Sequence, residues 1–154
     1  MKNPLVAAVC CALLACSSGG NAKIIHPELQ FVQLKGPAEQ NYPTGDIEVQ
    51  YGIRIANRSS EPITLRRIQL RSVGLGGPYR LQTRTYFFER VIQPEKFEDV
   101  TFWAKAVAES DGMANDARAP VTVRAVVFFS SPAGGFRNVL TQMLEQTGPL
   151  GGPR

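Results

Sequence analysis

Residues 46–57, DIEVQYGIRIAN, alternate: Ile47, Val49, Tyr51, Ile53 and Ile55 fall on one side, with Glu48, Gln50 and Arg54 on the other. A period of two marks a strand with one face in the core and the other in water. A helix would scatter the same five apolar side chains around its circumference. The β-branched and aromatic residue types suit a pleated, half-buried surface as well.

Working outward, residues 59–62 (SSEP) turn the chain and residues 63–72 (ITLRRIQLRS) resume the pattern. Here the parity slips: Ile63 and Leu65 are in phase, Ile68 and Leu70 are in phase, but the two pairs differ by one residue across Arg66-Arg67. A bulge or bend at that point returns both pairs to the core. Residues 73–78 (VGLGGP) form a Gly- and Pro-rich connection. A Thr- and aromatic-rich run, YRLQTRTYFFERVI (79–92), follows and is closed by Pro94. In FEDVTFWAKAV (97–107), Val100, Phe102, Ala104 and Ala106 face inward and Trp103 outward. VTVRAVVFFS (121–130) presents Val121, Val123, Ala125, Val127 and Phe129, and a short strand is expected at LQFVQLK (29–35). Consecutive strands joined by turns, with no long helical pattern between them, argue for an all-β, antiparallel, immunoglobulin-like sandwich over residues 29–132. The stretch from Gly52 to Ser72 resembles the strand-turn-strand of small immunoglobulin-like domains in bacterial envelope proteins. That resemblance speaks to fold and not to activity.

The last part of the chain departs from this rhythm. In residues 134–148, Phe136, Val139, Leu140, Met143 and Leu144 recur at helical spacing, which predicts a short amphipathic helix over 133–147 and a loose tail over 148–154. Such a helix would cover an open end of the sandwich, or offer its apolar stripe to a partner.

The first residues are of another kind. A basic start (Lys2), an apolar run from Leu5 to Ala15 and a small-polar stretch from Ser17 form a secretory signal too short to span a bilayer. The signal ends Leu13-Leu14-Ala15-Cys16, and this resembles the lipobox of bacterial lipoproteins. The resemblance implies cleavage before Cys16, a diacylglyceryl thioether on its sulfur and acylation, commonly palmitate, of the new amino group. Several acyl chains make a durable membrane anchor where one is marginal. Ser17 and Ser18 follow the cysteine where the family's retention signal would place aspartate, which implies a cell outer membrane site facing the periplasm. Residues 16–28 then serve as a tether. Cys10 and Cys11 leave with residues 1–15, so the mature chain holds no second thiol for a disulfide or a cysteine metal site.

Candidate chemistry is sparse. The one histidine, His26, lies in the tether, so triad chemistry and histidine-based zinc sites lack their usual residue inside the fold. Glu95, Glu98 and Asp99 precede one strand and Glu109, Asp111 and Asp116 follow it, at opposite ends. DGMAND (111–116) lacks the ligand spacing of a calcium loop and reads as a solvated turn. No cofactor or metal is expected. Arginine is the one excess: seventeen basic residues stand against thirteen acidic, for a formal net charge of +4. Arg54, Arg66, Arg67, Arg71, Arg80, Arg84 and Arg124 fall in strands on faces expected to meet water. Aligned, and joined by Trp103, they would make a surface for an anionic glycolipid or an acidic envelope protein. Nucleic acid is an unexpected partner in that compartment.

These residues favour a non-catalytic, lipid-anchored binding or assembly module that uses either the arginine-bearing face or the C-terminal segment. A small envelope hydrolase acting on carbohydrate would instead gather loop carboxylates in a cleft. An apolar-ligand binder would hold a cavity between its sheets. Intact-mass spectrometry of the membrane fraction tests the anchor directly. A mature chain beginning at Cys16 and carrying acyl chains is expected, and that species should vanish in Cys16→Ser; an unmodified soluble product from both removes the lipoprotein assignment.

Overall fold

The two alternating faces of residues 46–57 require a second apolar layer, and the chain supplies it from its own later strands. A computed structural model describes residues 25–36, 45–74, 77–108 and 119–145. Eight strands run in the order β1 (Glu28–Lys35), β2 (Gly45–Ala56), β3 (Ile63–Ser72), β4 (Tyr79–Leu81), β5 (Arg84–Ile92), β6 (Phe97–Ala108), β7 (Val121–Ser131) and β8 (Gly134–Leu144). They form two four-stranded antiparallel sheets, ordered β1-β2-β6-β4 and β5-β3-β7-β8. The inward sides of both sheets share one core. Ile47, Val49, Tyr51, Ile53 and Ile55 are buried against Ile63, Leu65, Ile68 and Leu70 and the alternate residues of β7 from Val121 to Phe129. Burial of each large aliphatic side chain contributes about 1.5–3 kcal/mol.

The parity slip at Arg66-Arg67 is an irregularity of the expected kind. Leu65 lies opposite Phe129 while Arg67 lies opposite Phe128, so β3 carries one more residue than β7 between those partners. Both apolar pairs of β3 thereby stay in the core.

Two polar knots sit in this apolar interior. The Tyr79 hydroxyl donates to Gln33 Oε1 at 2.7 Å and lies 2.8 Å from the Tyr51 hydroxyl, which ties β4 to β1 and β2. Ala104 and Ala106 occupy the inward positions of the intervening β6, and their small size leaves the path clear. Burial raises the pKa of both tyrosines, so the hydroxyls remain neutral donors. The second knot is Asn57, buried where the chain crosses from one sheet to the other. Its amide donates to the carbonyls of Glu61 and Ile92 at 2.8 and 3.0 Å, and its oxygen accepts from the Ser59 amide and hydroxyl.

The expected helix over 133–147 is corrected: residues 134–144 are β8, paired along their whole length with β7. The hairpin turns through Pro132-Ala133, and Gly134 adopts a φ of 123° that favours glycine. Phe136, Leu140 and Leu144 face inward, spaced by four, an interval compatible with a helix and equally a multiple of two. The intervening Asn138 made the period look non-β. It is accommodated because β8 is an edge strand: Asn138 Nδ2 donates to the Pro27 carbonyl at 3.2 Å, and its Oδ1 meets His26 Nδ1. The folded layer therefore runs to Leu144, beyond the expected end of the sandwich at 132. The tail over 148–154 lies outside the described residues.

Asn57→Ala should lower stability to urea unfolding by about 1–3 kcal/mol, because two buried carbonyls lose a donor. Asn57→Asp should cost more at neutral pH, since its carboxylate has nothing to donate to either carbonyl. Equal stability of Asn57→Asp and wild type would show that the crossover does not depend on this amide.

Candidate functional site

On the outward side of sheet β5-β3-β7-β8, strand register decides which side chains become neighbours. Arg67 lies opposite Phe87 of β5 and Phe128 of β7, and Phe128 lies opposite Arg137 of β8. The four strands thus carry a row that alternates aromatic and cationic, Phe87-Arg67-Phe128-Arg137. The Arg67 guanidinium stands 4.2 Å from the centroid of the Phe128 ring. On one side of this row, Arg66 donates to Ser130 Oγ at 2.9 Å and to the Glu89 carboxylate at 3.0 Å. On the other side lie Gln69, Val126 and Val139, and then Arg71 and Arg124 as direct partners. Phe87 is 76 % exposed and Met143 69 % exposed, well above what isolated core-capping side chains need.

Three shallow depressions interrupt this face, with volumes of about 480, 370 and 340 Å³. The first lies around Phe128, Phe136 and Arg137; the second around Arg71, Arg84 and Arg124; the third between Arg66, Arg67 and Phe87. Arginine lines all three, and Glu89 is the one carboxylate among their lining residues.

The opposite outer face, on β1-β2-β6-β4, is built differently. Arg54 pairs across the strands with Asp99, and Glu48 lies opposite Lys105. The Arg54–Asp99 bond is bidentate, at 2.8 and 2.7 Å, and Arg54 also covers the Phe97 ring. That bond, above all other causes, holds the Asp99 carboxyl below its ordinary range. Trp103 lies on this same face, beneath Lys35.

The expected arginine surface is therefore divided between two faces. Arg66, Arg67, Arg71 and Arg124 come together on one outer face, Arg84 belongs to the same sheet but lies opposite inward-facing Leu70, and Arg54 and Trp103 lie on the other sheet. The five residues expected to form a helical stripe are divided too. Val139 and Met143 join the arginine face, and Phe136, Leu140 and Leu144 turn into the sandwich. Arg137, Phe87 and Phe128 are members of the face that single-strand patterns did not single out. The Pro132-Ala133 hairpin, which places residue 137 opposite 128, is a signal for Arg137 and Phe128, whereas Phe87 follows from the pairing of β5 with β3. Of the carboxylates considered for catalysis, Asp99 is engaged by Arg54, and Glu109, Asp111 and Asp116 lie outside the described residues. Tyr86 packs against Phe102 inside, and its hydroxyl is buried with no partner in hydrogen-bonding geometry among the described residues. Burial raises its pKa, against a smaller opposing influence of the Lys105 backbone.

The sequence matches no protein-family model and no curated protein. The fold does match solved structures. A structural-genomics target designated SoR45 aligns over 84 % of this chain and 92 % of its own, with 14 % identity and a TM-score of 0.50. A protein from Archaeoglobus fulgidus aligns over 80 % and 97 %, with 10 % identity and a TM-score of 0.50. A Bordetella pertussis protein assigned the name ApaA aligns over 79 % and 96 %, with 16 % identity and a TM-score of 0.52. At these identities the likeness shows a shared two-sheet, all-β fold.

The Arg54–Asp99 pair yields a pH-dependent expectation. Because the folded pKa of Asp99 is depressed, the pair stabilises the fold above the ordinary carboxyl value of 3.8 and loses that effect as pH falls through the lower folded value. Arg54→Met should therefore be less stable than wild type at pH 7, with the gap closing under acid. A pH-independent gap in thermal midpoint would assign the loss to packing over Phe97 instead.

Proposed function

We propose that this chain is a lipid-anchored protein of the bacterial envelope, held through Cys16 at the outer membrane and facing the periplasm, that works as a non-catalytic binding or assembly module. Its fold is taken to be an immunoglobulin-like sandwich: β1, β2 and β6 on one side and β3, β7 and β8 on the other follow that family's A-B-E and C-F-G arrangement. The binding surface is the outward side of β5-β3-β7-β8. The observation that carries this reading is the segregation of charge between two otherwise similar sheet faces. On one, Arg54 and Lys105 lie opposite acids in register, beside exposed Phe97 and Trp103; the other sets Arg71 opposite Arg124 and spaces its arginines among exposed Phe87, Val139 and Met143 and half-buried Phe128, with Glu89 as their carboxylate. A surface selected for solubility intersperses both signs and keeps large apolar side chains sparse. An arginine-aromatic surface suits an anionic partner that also offers apolar contact, such as a glycolipid or an acidic envelope protein.

Photo-crosslinking in intact envelopes tests it. A crosslinking residue at Phe87 should give one discrete adduct that disappears with Arg67→Glu, whereas the same group at Trp103, on the other face, should give none. Adducts from Trp103 alone, or adducts from Phe87 that ignore Arg67→Glu, would remove this face as the binding surface.

A further inference from the structure

We propose that the end of this face where β3, β5 and β7 meet is a site for a phosphoryl group. It rests on that face being a binding surface and adds the chemistry of what one part of it holds. Arg71 and Arg124 are direct partners across the two central strands. Side chains in that relation leave the sheet about 5 Å apart, and like charges so placed destabilise it. The opposite face never does this: its corresponding pairs, Arg54 with Asp99 and Glu48 with Lys105, join opposite charges. Arg71 and Arg124 both line the same 370 Å³ depression, with Gln69, Thr83 and Thr85 supplying neutral polar groups; Arg84 borders it at the start of β5, but its place opposite Leu70 puts its side chain on the inward side, toward Tyr86. No carboxylate lines it, and neither Arg71 nor Arg124 belongs to a salt bridge among the described residues.

Two guanidiniums held side by side select the ligand class. Each presents a planar fork of donors, and none has any acceptor capacity. A single carboxylate has two oxygens and one charge, so it saturates one fork and leaves the second cation uncompensated. A phosphomonoester carries close to two negative charges and three terminal oxygens, enough for bidentate contact from more than one arginine. The threonine hydroxyls can donate to the remaining oxygen positions. Val126 and Leu70 complete the lining.

The test follows the arginine Nε–H resonances of the full chain carrying Cys16→Ser while inorganic phosphate is added at constant ionic strength, with chloride as the exchanged anion. The expected result is saturable movement of Arg71 and Arg124 with Arg137 unmoved, and an affinity lowered about tenfold or more by Arg124→Gln. Without phosphate, Arg124→Gln should keep or raise the thermal midpoint, because it removes one of two opposed charges; this separates loss of the site from loss of the fold. Linear, unsaturable movement of all arginines alike, or undiminished affinity in Arg124→Gln, overturns the site. Vesicles containing phosphatidic acid then distinguish the source: displacement of bound phosphate assigns a lipid headgroup, and no displacement assigns a soluble phosphate. If phosphate fails to saturate while the Phe87 crosslink persists, the site falls and the binding face stands. Failure of both removes both.

Discussion

One extra residue in β3 sets the character of the outer surface. Without it, a strict alternation that buries Leu65 would expose Ile68 and Leu70 and bury Arg67 and Arg71, which no sandwich interior could accommodate without paired charges. With it, Leu65 and Ile68 both reach the core, and the two residues between them are left on the water side. Both are arginines, whose long polar side chains can splay apart from two consecutive outward positions. Arg66 then reaches toward Ser130 and Glu89, and Arg67 lies over Phe128. The register that keeps the core apolar is thus also the one that aligns cations with aromatics across four strands.

The polar groups inside the fold serve the same end of holding register. Tyr79 belongs to a strand of three residues, too short to be fixed by its ladder alone, and its hydroxyl anchors it to Gln33 and Tyr51 across the intervening β6. Asn57 acts at the crossover, where backbone carbonyls leave their sheet and need donors. Both are fully engaged, so each costs little by being buried and fixes one arrangement over its alternatives.

Most of the fold was legible because most strands have one face in the core and so carry period two. Ile47 to Ile55, Val100 to Ala106 and Val121 to Phe129 are such strands, and the β3 irregularity showed as a parity slip at the same two arginines. Edge strands are less constrained. β8 needs an apolar side chain at only every fourth residue, since Asn138 is satisfied by the chain at His26-Pro27, and an interval of four cannot separate helix from strand. The candidate surface was legible as an excess of arginine but not as a place. Whether Arg54 and Arg67 share a face depends on which sheet each strand joins, and that is fixed by pairing between strands remote in sequence, which no local pattern contains.

The contrast between the two outer faces carries more weight than either alone. Both belong to one chain, meet the same solvent and are built on the same kind of ladder, so a general demand for solubility or stability would treat them alike. On β2 and β6 opposite charges meet in register, which lowers the energy of the isolated fold. On β3 and β7 two arginines meet in register, which raises it. Phe87 and Met143 stay largely in water elsewhere on this face, as Phe97 and Trp103 do on the other, so it is the charge register that separates the two. An arrangement that is unfavourable for the free domain becomes favourable when an anion neutralises the paired guanidiniums and an apolar surface covers the exposed rings. Arginine at neutral pH is neither a ready proton donor nor a nucleophile. What arginine does provide is fixed, oriented positive charge, and the face is organised around it.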